Sequence, residues 1–287
     1  MVVKISTEIG SISKLVGEKK AVEYVAKAGF DAFDLSMFCM AEIDWGTRTA
    51  KPSSHPFCGA KYLKEIREIK KIANDNGIFC NQSHAPFPVY IKEIKDMMFR
   101  ALELSAEAGA KVCVIHPDNF KNAQENAKIF NDLLPFAKSL GVKIATENMW
   151  NWHGVYASKA ACSHHQDFRE HIDVVNDDYF GACLDIGHAE MQGLNTSAVQ
   201  MIKTLGDKLI ALHIHDNNLC YDDHLLPRKG IINFTAILTA LKEVNYGGDF
   251  TLEADRHLST FTKENCFEGV KEMAEATRKL AKAFENL

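Results

Sequence analysis

Short apolar runs alternate with longer segments whose apolar residues recur every third or fourth position, and the alternation repeats eight times along the 287 residues. The runs at 2–9, 32–38, 78–85, 111–117, 143–148, 181–188, 209–216 and 250–255 predict strands. The segments 14–28, 60–76, 90–108, 121–139, 165–176, 195–205, 233–244 and 264–284 predict helices, with Ile94, Met97, Met98, Ala101 and Leu102 marking one apolar stripe. Gly29, Gly77, Gly109, Gly141 and Gly248 stand just before the next strand, where a helix end favours a left-handed residue. Near-continuous apolar strands separated by amphipathic helices predict a parallel sheet covered by helices. Eight such units predict a closed (β/α)8 TIM barrel of the α/β class. An open doubly wound sheet would be expected to carry GxGxxG after the first strand, and that motif is absent. With no linker-like or low-complexity stretch, residues 1–287 are expected to form one domain.

In such a barrel the chemistry sits at the C-terminal ends of the strands. His84 ends the third run, His116 the fourth and Glu147 the fifth; Asp185 and His188 end the sixth. His213 and His215 end the seventh, Asp222 and His224 follow it, and Glu253 ends the eighth. A single residue of this kind is ordinarily a cap, a loop anchor or a satisfied buried group. Six consecutive strands aiming His, Asp or Glu into an opening about 10 Å wide are a different matter. Three carboxylates there repel one another at low effective dielectric, and a dication removes the repulsion. Glu147, Asp185, His213 and Glu253 are therefore expected to hold a divalent metal ion. Their mixed oxygen and nitrogen donors suit Mn, Co, Mg or Zn.

A net charge of −5, with no run of five like charges, argues against a partner such as duplex nucleic acid. Eight cysteines occur without CxxC pairs, several inside apolar runs, as expected of free thiols in a reducing cytosol. None is expected beside the candidate ligands. The N-terminal segment lacks a signal peptide's apolar core and no stretch approaches membrane-spanning length, so a cytoplasmic protein without membrane contact is expected.

Several short motifs recur in a fixed order: HisAlaProPhe (84–87), HisPro (116–117), GluAsn (147–148), AspIleGlyHis (185–188), LeuHisIleHisAsp (212–216), AspAspHis (222–224) and LeuGlu (252–253). Together they resemble the xylose-isomerase-like barrel superfamily, from the first strand to the last. That group includes sugar-phosphate isomerases and epimerases, ketose 3-epimerases, inosose-metabolising enzymes and type-IV apurinic endonucleases. The resemblance to ketose 3-epimerases implies that Glu147 and Glu253 both ligate the metal and transfer protons. It implies that Asp185 and His213 complete the metal site and that His188 hydrogen-bonds a substrate oxygen. GlyAspLysLeuIleAlaLeuHis (206–213) is similar to those enzymes' approach to the seventh-strand ligand, favouring His213 over His215. The Arg that such epimerases carry after strand 7 is missing, and His224 is the nearest counterpart. The resemblance to the endonucleases implies an alternative, a multinuclear zinc phosphodiesterase. Its nine-residue ligand set has candidates in His84, His116, Glu147, Asp185, His188, His213, Asp222, His224 and Glu253. The acidic total charge and the opening LysIleSerThrGluIleGly do not match that group.

The residues thus predict a metal-dependent sugar isomerase or epimerase. One carboxylate removes a proton beside a carbonyl and another returns one. Glu147 and Glu253 lie three strands apart and can flank a substrate. His84, His116, His188, His224 and Trp150 are expected to contact that substrate, with Trp152, Phe38 and Phe87 as further aromatic walls. No Gly-rich loop follows strands 7 or 8, which favours an unphosphorylated sugar, polyol or keto-compound over a sugar phosphate. His164, His165 and His171 are expected at the surface or rim. A homo-oligomer is compatible with all of this.

Overall fold

The computed structural model describes residues 2–154 and 156–287. Eight strands fall inside the eight predicted runs: β1 (Ile5–Thr7), β2 (Ala32–Ser36), β3 (Phe79–His84), β4 (Val112–Val114), β5 (Lys143–Glu147), β6 (Phe180–Asp185), β7 (Leu209–His213) and β8 (Phe250–Leu252), β6 alone beginning one residue early. Strands β2 to β7 form one sheet in chain order, and β1 pairs in parallel with β8. Single parallel bridges, Glu8 to Asp34 and Ile214 to Leu252, join the two sheets at either side and close the ring. The architecture is the expected TIM barrel.

Strand alternation explains where the polar residues go. One set of side chains packs outward: Phe33, Leu35, Ile144, Leu184, Leu212 and Phe250 share a core with helix residues such as Ile66, Phe130, Phe168, Met201 and Met273. The other set faces the interior, where Val114, Ala145, Cys183 and Ala211 form a separate small apolar layer. Two residues further along those same strands stand His116, Glu147, Asp185 and His213, all buried. The floor is built from small residues and the layer above it from ligand-type groups.

Several predicted boundaries shift for identifiable reasons. The run 181–188 does not stay extended: β6 stops at Asp185, and Ile186–Ala189 form a helical turn that Asp185 caps by accepting the His188 N–H at 2.7 Å. Segment 14–28 divides at Gly17, whose φ of 80° interrupts it, into helices Gly10–Val16 and Glu18–Ala28. Segment 90–108 divides at Met97 into Lys92–Asp96 and Met98–Ala108. Two antiparallel hairpins were not anticipated, Ala41–Asp44 with Thr49–Pro52 after β2, and Asn151–His153 with Tyr156–Ser158 after β5. Among the described residues no helix is long and apolar enough to cross a membrane.

His171 corrects the expectation of a rim residue, being 1% exposed. It shares the inward face of helix His165–Val175 with Phe168 and Ile172. Its Nδ1 donates to the Asp167 carbonyl at 2.8 Å, leaving Nε2 to accept from Asn126 at 3.2 Å. Asn126 in turn holds the Asp118 backbone N–H at 2.8 Å, bracing the loop that follows His116.

Candidate metal centre and active site

The four expected metal ligands converge. Glu147, Asp185, His213 and Glu253 each offer an atom within 4.8 Å of the others, and all four are buried. His213 Nδ1 lies 3.2 Å from Glu147 Oε2 and 3.1 Å from Glu253 Oε2. Its other nitrogen, Nε2, donates to Asp34 Oδ2 at 3.3 Å, and Gln82 Nε2 donates to the same oxygen at 2.9 Å. With Nε2 turned to Asp34, Nδ1 is the nitrogen that faces the carboxylates. Glu147 Oε2, Asp185 Oδ2 and His213 Nδ1 are buried without a hydrogen-bond partner. Three inward carboxylates, an imidazole nitrogen aimed at them and buried atoms without hydrogen-bond partners fit a divalent cation, because leaving such groups buried and uncompensated is costly. A carboxylate behind a ligating histidine is the usual support for such a centre.

A second group lies beside the first. His188, His215, Asp222 and His224 also bring one atom each within 4.8 Å of one another. His215 Nε2 is 3.0 Å from Asp185 Oδ1 and 3.5 Å from Asp222 Oδ1, so Asp185 stands between the groups. The His188 Nδ1 donates to the Asn148 carbonyl at 2.9 Å, while Nε2 faces Asp222 Oδ2 at 3.5 Å. His224 Nε2 is 3.2 Å from that oxygen, and its Nδ1 donates to the Glu253 carbonyl at 2.7 Å. His213 and His215 point inward together because they are two apart on one extended segment. His215 needs room: a Cβ on Gly187 would overlap its ring, which is why glycine follows Ile186.

His84 and His116 gather on the far side of Glu147, their Nε2 atoms 3.3 and 3.2 Å from Oε2 and 2.9 Å from each other. Of these residues Glu147, Glu253, His84, His116, His188, Asp222 and His224 line a cavity of about 480 Å³, with Asp185, His213 and His215 buried beneath it. Phe38, Phe87, Met149 and Trp150 line it, together with Lys14, Asp255 and Arg256. Trp150 lies against Trp152 at 4.6 Å between ring centroids, and Trp152 is 47% exposed, so Trp150 alone of the two walls the cavity. Every residue expected to contact the substrate, His84, His116, His188, His224 and Trp150, lines this space. His164 and His165 do not; they lie together on the helix after β5.

Burial opposes ionisation of Glu147, yet His213 and His116 beside it hold its carboxyl well below the ordinary range. Glu253 goes the other way, pushed well above that range by burial that His213 does not offset. Burial also disfavours charge on His188, but Asp185 and Asp222 raise it well above its usual value. His224 is raised to about 10 against burial, chiefly by Asp222, and burial drops His116 to about 4. Two carboxylates with values driven apart are the arrangement that allows one base and one acid in a single site.

Asp34 and Gln82 escaped sequence reading, and His215, seen at the end of the seventh run, was set aside in favour of His213. Asp34 had a signal, a charge within the buried run AlaPheAspLeuSer, and His215 had one in its spacing of two from His213. Cys183 corrects the expectation that no thiol neighbours the ligands: it lies on β6 two residues before Asp185, opposite Glu147 in register. Burial pushes its thiol up to about 12, which leaves it an inert floor residue.

A closed parallel barrel with carboxylates and histidines converging at its strand ends has the layout of a barrel enzyme. The chain belongs to the xylose isomerase-like TIM barrel family, whose model matches residues 22–285. An uncharacterised protein of Methanocaldococcus jannaschii is 28% identical over 81% of this chain and 78% of its own. The inosose isomerase of Halalkalibacterium halodurans is 25% identical over 83% and 82%. Among solved structures, a D-tagatose 3-epimerase-like protein superposes with a TM-score of 0.69 at 21% identity, covering 97% of this chain and 98% of the other. The IolI protein with a bound zinc atom superposes with a TM-score of 0.70 at 20% identity, covering 96% and 98%.

Proposed function

We propose that this protein is a divalent-metal-dependent isomerase or epimerase that moves a proton beside the carbonyl of a small sugar or polyol-derived ketone. The observation that carries the reading is the convergence of Glu147, Asp185, His213 and Glu253 at the base of an aromatic-walled cavity of about 480 Å³. Those four residues would hold Mn, Co, Mg or Zn, and such an ion supplies Lewis-acid polarisation of a carbonyl oxygen. The inosose isomerase and the D-tagatose 3-epimerase-like protein support the substrate class, and the zinc atom of the IolI protein supports the ion.

Glu147 and Glu253 project from strands three apart, so a substrate between them meets a carboxylate on each face. One of the two removes the proton and the other returns one to the opposite face. Return to the same carbon gives epimerisation, and return to its neighbour gives isomerisation. Phe87 and Trp150 cover the apolar faces of the substrate and exclude water. Residues 1–287 act as one catalytic domain in this reading, and the free cysteines suit a cytoplasmic enzyme.

The test is incubation of the metal-loaded protein with a ketose and inosose panel in deuterated water. Uptake of carbon-bound deuterium that is lost in both Glu147→Gln and Glu253→Gln supports the reading. A second reading, a multinuclear zinc phosphodiesterase, is favoured by one observation, the separate group His188, His215, Asp222 and His224. Two or three zinc ions per chain and cleavage of abasic DNA, without deuterium uptake, would establish it instead.

A further inference from the structure

The cavity mouth carries two basic side chains that neither proton transfer nor metal binding uses. Lys14 projects from helix Gly10–Val16, after β1, and Arg256 from the turn Asp255–Thr260, after β8. Strands β1 and β8 are hydrogen-bonded neighbours, so both cations rise on one side of the opening. The apolar wall of Phe87, Met149 and Trp150 comes from loops after β3 and β5, across the ring.

Three carboxylates that line the cavity with these cations already face histidines. Asp255 lies 3.2 Å from His224, Glu253 3.1 Å from His213, and Asp222 3.2 Å from His224. Among the described residues, no carboxylate stands within ion-pairing distance of Lys14 or Arg256. The lysines on the next helix behave differently: Lys19 pairs with Glu65 at 3.4 Å and Lys20 with Glu23 at 2.8 Å. The helix carrying Lys14 is also fixed at its base. Buried Glu8 accepts the Ser11 N–H at 3.0 Å and the Ser11 and Ser36 hydroxyls, locking the start of that helix to β1 and β2.

We propose that Lys14 and Arg256 form a receptor for an anionic group at the substrate end remote from the carboxylate cluster, so that the substrate is a phosphorylated or carboxylated sugar derivative. The proposal rests on the reading that this cavity takes a sugar, and it names the class of that sugar. An Arg fork and a Lys ammonium together match the oxygens of phosphate or carboxylate, and charge-assisted hydrogen bonds are about twice as strong as neutral ones. The cations come from a helix and a turn rather than a Gly-rich loop, so the usual sequence signal for a phosphate site is missing.

Three inert ligands without a carbonyl test this on the metal-loaded protein by calorimetry: xylitol, xylitol 5-phosphate and xylonate. We expect the phosphate or the carboxylate to bind about tenfold or more tightly than xylitol, and whichever gains identifies the group. In Lys14→Gln/Arg256→Gln that ratio should fall toward one, and added salt should weaken the gain in the parent protein. Equal binding of all three ligands, no detectable binding of either anion, or a gain retained in the double variant would overturn the proposal. The last outcome would mean that the anion binds the metal directly. An anion gain that depends on both residues, in a protein showing no deuterium uptake with any ketose, would keep the receptor and reject the isomerase.

Discussion

Asp34 Oδ2 lies 3.3 Å from His213 Nε2, and this contact decides which nitrogen of His213 faces the carboxylate cluster. Asp34 belongs to β2, three strands around the ring from β7 by way of β8 and β1, and both side chains reach the barrel interior. Removing the negative charge frees the imidazole to place its proton on Nδ1, the wrong side for a ligand. Asp34→Asn should weaken metal affinity about 10- to 100-fold, the usual effect of losing such a supporting group. Chelator competition measures it, and unchanged affinity would show that Gln82 and packing suffice to hold the ring.

Glu147→Gln and Asp185→Asn should each lose the metal and all activity while keeping the fold. Both side chains are buried among like charges, so neutralising one relieves repulsion in the metal-free chain. Metal content by mass spectrometry, together with circular dichroism, checks this. Full metal occupancy in both variants would remove these residues from the ligand set.

His213→Asn should strip the ion, whereas His188→Asn should retain one equivalent and lower turnover about 10²-fold, the size expected for losing one oriented donor. The difference follows from placement: His213 Nδ1 faces Glu147 and Glu253, while His188 Nε2 faces Asp222. Metal loss as complete in His188→Asn as in His213→Asn would move the multinuclear hydrolase ahead.

Metal uptake should be stronger at pH 8 than at pH 6. Burial opposes charge on His213, His188 and His224, but neighbouring acidic groups raise all three, His224 to about 10. A raised value means the proton is bound at neutral pH, and an ion entering at His213 must displace it. Calorimetry in two buffers of different ionisation enthalpy should report net proton release. No release would mean that His213 enters neutral.

Gly187→Ala should destabilise the protein by about 1–3 kcal/mol, the range for forcing an extra methyl into a packed site. The added carbon would meet the His215 ring. Combining it with His215→Ala should recover most of that loss in thermal melts, and additivity of the two would deny the contact.

The barrel was legible because its signal is periodic and repeated: runs such as 143–148 and 209–216 cannot be amphipathic helices, and their polar ends fall in register. The convergence of the candidate ligands was legible too, since Glu147, Asp185, His213 and Glu253 share one level of one ring. What stayed hidden depends on lateral neighbours rather than on periodicity. The hairpins at 41–52 and 151–158 are short and half-exposed, with neither a full strand period nor a strong turn motif. His215 reads like a duplicate of His213 until its contact with Asp185 is seen. Lys14 and Arg256 come from opposite ends of the chain, brought to one rim by the pairing of β1 with β8.

Strand β6 shares four residue pairs with each neighbour, whereas β8 meets β7 through the lone Ile214–Leu252 bridge and β1 through three pairs. Glu253 follows that lightly tied strand and is 9% exposed, while Asp185 is fully enclosed. An ion held by three firmly seated donors and one on a looser strand departs from the looser side. The lifetime of an ion held there would then be governed by excursions of Glu253. Shortening that residue to Asp should accelerate ion exchange well before it empties the site.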